Sequence, residues 1–132
     1  MRALAVRQPW ASLIIEGLKT IEVRSKPTKL RERVAIYASK AMQATLEGEH
    51  GPDYNSRILL TGMILGTVEI VACSKVNDAI KYTAYNIEHF APDEYYKEDK
   101  TYFWHLRRPQ MFDLPIPIKW PSTGSWAHIE LP

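Results

Sequence analysis

The sequence predicts an α+β protein built on a mixed β-barrel of about five to six strands with a few short flanking helices. Three observations carry this expectation. Short runs with two-residue apolar alternation recur along the chain. The helical stretches between them are few and short. Strands do not alternate regularly with long helices, which disfavours a doubly wound parallel sheet. A chain of 132 residues with 45% hydrophobic content suits one domain over residues 1–132 with a single core, and no disulfide or structural metal is needed to hold it.

The elements follow in order. RALAVR, residues 2–7, reads as a first strand. Pro9 suits a first helical turn, because its missing N–H would have no partner there. Trp10, Leu13 and Ile14 then keep helical spacing, and Gly17 is a natural stop. TIEVR alternates next, with Ile21 and Val23 on one face and Thr20, Glu22 and Arg24 on the other. A basic, proline-containing loop, SKPTKLRER, leads to VAIYA, a buried-strand run ending in Ser39 and Lys40. AMQATLEGE is expected as a short helix and GPDYNS as a turn or a helix entry. Residues 62–76 form the longest β-rich run, in which Gly62 and Gly66 suggest a bulge or bend of the kind small barrels use at corners. Residues 77–99 are acidic and aromatic and read as one or two short helices, serving as a lid or as a cover for the barrel. TYFWHLRR is expected as one strand and MFDLPIPIKWP as a separate, proline-spaced edge strand. SWAHIEL closes the chain as a last strand after a turn at Ser122–Gly124.

Composition narrows the function classes. The one cysteine, Cys73, cannot form an internal disulfide, which points to a reducing compartment, and its apolar run marks it as a buried strand residue. No apolar run approaches the roughly 20 residues that span a bilayer. Arg7 and Pro9 interrupt any secretory core at the N-terminus, so a cytoplasmic protein that does not engage membranes is expected. The net charge of +2 is unevenly distributed. Residues 1–40 hold nine Lys and Arg against three carboxylates, whereas the remainder holds eight against twelve. The basic third can present a patch to phosphates, or folding can interleave the two signs into an ordinary mixed surface.

RQPWASLIIEGLKTIEVRS, followed by a basic loop and a strand ending in Ala-Ser, resembles the ASCH domain, a PUA-like family named for its homology to a transcription coactivator. The family signature Gly-x-Lys-x-x-Glu-x-Arg is complete here as Gly17, Lys19, Glu22 and Arg24. The tail is similar too: a Trp-containing strand, a proline-spaced strand and a Gly-x-Trp close. The resemblance implies a PUA-like barrel and a nucleic-acid cleft lined by the signature. It also brings hydrolytic relatives that remove an acyl group from a modified cytidine or cleave RNA. The family's small amidohydrolases use a Thr where Glu22 stands, and Glu22 cannot supply that hydroxyl. Lys19 is in place, and a lysine–carboxylate pair could move a proton.

Each candidate has a functional and a structural reading. Lys19 could hold a phosphate or polarise a carbonyl, or simply sit near a helix C-terminus, where the macrodipole favours a cation. Glu22 and Arg24 share a strand face and could form a structural ion pair or orient a ligand-binding cation. Glu22 as a general acid at neutral pH is disfavoured, because nearby cations lower its pKa. Gln8 could read a base edge or cap a turn. Trp10 is a core side chain or a stacking platform for a base. Ser39 and Lys40 lie at a barrel rim. Lys26, Lys29, Arg31 and Arg33 make a phosphate-tracking strip or a solvated loop. Trp104, Trp120 and Trp126 read mostly as core, with Trp126 the best of them for ligand contact. The four histidines lack metal spacing, no glycine-rich phosphate loop or G-x-S-x-G elbow is present, and neither a metal nor a cofactor is expected.

The leading expectation is a monomeric binder of single-stranded RNA or a modified nucleotide. Lys19, Arg24 and the loop cations would take phosphates, and Gln8, Ser39 and aromatic rings the base. The rival is a small hydrolase of RNA or a modified nucleoside, such as an acylcytidine, with Lys19 and Glu22 handling the proton. A third is a protein-interaction adaptor, suggested by the coactivator relationship.

Overall fold

The computed structural model describes residues 1–40 and 59–132. The helix and turn expected over 41–56 lie outside these residues. Six strands form one sheet: β1 (Arg2–Arg7), β2 (Ile21–Arg24), β3 (Arg33–Ser39), β4 (Met63–Lys75), β5 (Tyr102–Pro117) and β6 (Trp126–His128). The helices are α1 (Trp10–Ile15), α2 (Ala79–Ala84) and α3 (Asn86–His89), followed by a 3-10 turn at Asp93–Tyr95. The sheet order is β2-β5-β4-β3-β1-β6. Only β1 and β3 pair in parallel, with Ala3 opposite Ala35 and Arg7 opposite Ser39; the other pairs are antiparallel.

The apolar runs bury both faces of the central strands. Leu4, Val6, Val34, Ile36 and Ala38 point into the main core with Leu13, Ile14, Val68, Ile70 and Leu106. Their alternates Ala3, Ala35 and Tyr37 join Ile64 on the opposite face. There the tail covers them, with Trp120 stacked on Tyr37 at 4.5 Å between ring centroids. This two-sided burial explains why VAIYA is apolar without interruption. Each fully buried Leu or Ile contributes about 1.5–3 kcal/mol. Cys73 lies on β4 at the margin of the main core and is only partly buried.

α1 begins after a cis Gln8–Pro9 bond, with Pro9 at its cap position. Gln8 caps it from below: its side-chain oxygen accepts from the Ser12 N–H at 2.9 Å, and its amide donates to Ser12 Oγ at 2.7 Å and to the Leu60 carbonyl at 2.9 Å.

The two long strands bend through register shifts at Ile64/Gly66, Thr67/Glu69 and Ile70/Ala72. Gly66 is obligatory at the first of these, since a Cβ there would lie 2.1 Å from the Gln110 carbonyl oxygen. The two strands expected in the tail are one. Arg108 takes φ 53°, which absorbs the irregularity ahead of Pro109, and its guanidinium grips Glu69 of β4 at 2.9 and 2.5 Å. Among the described residues no helix is long and apolar enough to cross a membrane.

Candidate functional site

The signature residues are brought inward by a tight turn. Gly17 takes φ +83°, and the Leu13 carbonyl accepts from both the Leu18 and the Lys19 N–H at 3.0 Å. Lys19 therefore points under the sheet and is 2% exposed. Its ammonium donates to the His89 carbonyl and lies 3.4 Å from one Glu22 oxygen. Arg24 donates to the other Glu22 oxygen from Nε at 3.0 Å and Nη2 at 2.8 Å. The same Nη2 reaches the Ala5 carbonyl at 3.0 Å. β2 ends the sheet at one side and β1 is next to last at the other. That bond therefore spans the mouth of a sheet curled upon itself.

These three side chains form one electrostatic unit, with Lys19 and Glu22 buried and Arg24 partly exposed. Burial pushes the Lys19 ammonium down to about 8, against the opposing attraction of Glu22. Burial alone would raise the Glu22 carboxyl, but Arg24 and Lys19 outweigh it and hold the group below the usual carboxylate range. Glu22 is thus an anion at neutral pH, and Lys19 loses its proton closer to neutrality than an ordinary lysine.

Above this floor opens a cleft of about 500 Å³. Trp10 and Tyr95 form one wall, their rings edge to face at 5.6 Å. Trp10 is fixed by donating from its indole N–H to the Phe90 carbonyl at 3.2 Å. His89, fully buried, holds this segment: its Nδ1 accepts from the Ala91 N–H at 2.9 Å, which leaves Nε2 to donate to the Tyr82 carbonyl at 2.9 Å. The opposite rim carries Arg7, Ser39 and residues 123–125. That loop is tied down by Ala5 N–H on the Ser125 carbonyl at 2.8 Å and the Trp120 indole on the Gly124 carbonyl at 2.9 Å. A second cavity of about 410 Å³ adjoins the first, sharing Val23, Arg24 and Tyr95 and adding Ser25, Glu94, Lys97 and Lys100.

Of the residues singled out in the sequence, Trp10, Lys19, Glu22, Arg24 and Ser39 line this cleft. Gln8 does not: it is fully buried, and its amide is engaged in capping α1. Lys26 and Lys29 are exposed on the loop before β3, and the Lys26 carbonyl accepts from the Trp104 indole at 2.9 Å. Lys40 is exposed beyond β3, its chain lying over Gly62. Trp126 stacks on Trp104 at 5.9 Å instead of facing the cleft. The strip of four loop cations is broken. Arg31 folds back on the Thr28 and Leu30 carbonyls, and Arg33 belongs to β3, bonded to Thr67 and Glu69. Sequence reasoning missed Arg7, Tyr95, Thr123 and Ser125. Arg7 had a local signal, since it ends β1 beside the Gln-Pro-Trp helix start.

A family model described as the ASCH domain matches residues 4–116. Activating signal cointegrator 1 of Homo sapiens is 29% identical over 126 residues, and that of Mus musculus 28%. Both alignments take in 88% of this chain and 20% of the relative, so the chain spans about a fifth of the length of the curated relatives it matches. The crystal structure of ASCH from Zymomonas mobilis superposes with a TM-score of 0.69 at 17% identity, covering 98% of this chain and 87% of that one. A single-residue variant of the same protein gives 0.67. At that identity the likeness is one of fold: a curled six-stranded PUA-like sheet with short helices.

Proposed function

The chain belongs to the ASCH domain family, and from that premise we propose that its cleft binds single-stranded RNA or a modified nucleotide. One observation carries this reading above the others. A concave, partly polar site of about 500 Å³ has two arginines and an aromatic wall converging on it. That volume lies within the range typical of small-ligand sites, roughly 300–1,000 Å³. Arg24 is held in orientation by Glu22, so its remaining donor capacity is pre-organised for phosphate oxygens. Arg7, at the rim, adds a second guanidinium. Tyr95, backed by Trp10, which is buried in the main core, offers an aromatic surface to a base, and Ser39 and Ser125 offer hydroxyls to its edge or to a ribose. A duplex is too wide for a cleft of this kind, whereas an unpaired nucleotide can be splayed into it.

The test is a titration of short single-stranded RNA at several salt concentrations. With about three phosphates neutralised, log K falls with log[salt] at a slope near −2. Arg7→Gln is expected to weaken binding by about tenfold and to flatten that slope by roughly 0.7. A flat salt response in the wild type would sink the reading.

The state of Lys19 supports a second reading, hydrolysis of RNA or of an acylated nucleoside. An amine brought down to about 8 is partly neutral near physiological pH. It can then accept a proton from an attacking hydroxyl or water, with anionic Glu22 stabilising the ammonium that forms. The protein is incubated with short RNA and acylated nucleosides, with and without magnesium or manganese, and read by mass spectrometry. New product masses that vanish in Lys19→Ala, at a rate rising towards pH 8, are the expected signature of an enzyme. Unchanged substrates beside salt-dependent binding leave the binding reading alone.

A further inference from the structure

Resting on the nucleotide reading of the cleft, we propose that the adjoining cavity is a second phosphodiester subsite, so that the preferred ligand is a strand of at least two nucleotides. The two cavities share Val23, Arg24 and Tyr95 and are therefore neighbours across one wall. Arg24 borders both, as a cation bridging successive phosphates would. The second cavity adds Lys97 and Lys100. Both side chains are exposed, and neither has an ion pair among the described residues, in contrast to Lys75, whose ammonium lies 3.6 Å from Asp99.

The two lysines are not placed by a loose loop. Buried Thr101 staples the turn that bears them, accepting from the Lys97 N–H and donating to the Lys97 carbonyl, each at 2.8 Å. The Lys100 N–H closes the turn on the Lys97 carbonyl at 3.1 Å, and Asp99 takes φ 62° to allow it. The turn therefore presents two cations from one fixed backbone segment, so only their side chains remain to be ordered when an anion arrives. Glu94 lies in the same cavity and opposes the anion, so it sets how strong the subsite can be.

The experiment compares mixed-sequence single-stranded RNA probes of one, two and four nucleotides on the full chain at low salt. Affinity is expected to rise at least tenfold from one nucleotide to two. Lys97→Ala combined with Lys100→Ala should remove most of that gain while leaving the one-nucleotide affinity within twofold. Glu94→Gln should enlarge the gain. If no probe of any length binds the wild type, the cleft reading falls and the subsite with it. If one- and two-nucleotide probes bind equally, or the double variant weakens both to the same degree, the subsite alone is overturned.

Discussion

Lys19 carries its charge at 2% exposure, and its relation to proton concentration follows directly. Its folded-state value of about 8 lies below the ordinary lysine value of 10.5. Between these values the unfolded chain binds the proton and the folded one does not, so stability must rise with pH across that window. Above about pH 10 the trend turns. Burial raises the Tyr82, Tyr95 and Tyr96 hydroxyls, so the unfolded chain ionises its tyrosines first and unfolding gains. At the acid end Glu22, held below its ordinary value, contributes stability that is present above the unfolded carboxyl pKa and lost as pH falls through the folded one. Urea midpoints measured from pH 7 to 10 are expected to climb, and Lys19→Met should flatten the climb. Much of this unit was legible in the sequence: Glu22 and Arg24 share a face by strand geometry, whereas Lys19 precedes β2 and joins them only through the turn at Gly17. Tyr95 and Ser125 were not, since they come to the cleft from segments about 70 residues or more away from the strands they face.

Alternation located β2, and apolar or β-rich runs located β1, β3 and β4, because these strands bury one or both faces. β5 was misread as two strands. Proline usually interrupts a ladder, but here the positive φ of Arg108 lets the strand continue past Pro109. Gly66 of β4 was read correctly as a bend, and it supplies a sharp test. Gly66→Ala drives a methyl against the Gln110 carbonyl, so β4 and β5 must part. A loss of about 3 kcal/mol or more is expected, by analogy with severe overpacking. Gly124→Ala meets nothing within 4 Å and should stay within about 0.5 kcal/mol of the wild type. Thermal denaturation of the two variants side by side decides the point.

At the scale of the whole molecule, the bond from Arg24 to the Ala5 carbonyl joins two strands that lie far apart in the sheet order. The cleft exists because the sheet closes that far and no farther. A different consequence belongs to the pairing of β1 with β6. The Met1 ammonium donates to the Ile129 carbonyl at 2.9 Å, and the Ile129 N–H returns a bond to Met1. Residues 1 and 129 thus meet at the ends of adjacent strands, so the two ends of this segment can be joined and the break placed elsewhere. Joining residue 132 to residue 1 with a linker of about five residues, and opening new termini at Pro27–Thr28, should yield a circular permutant that folds cooperatively with the parent's far-ultraviolet circular dichroism.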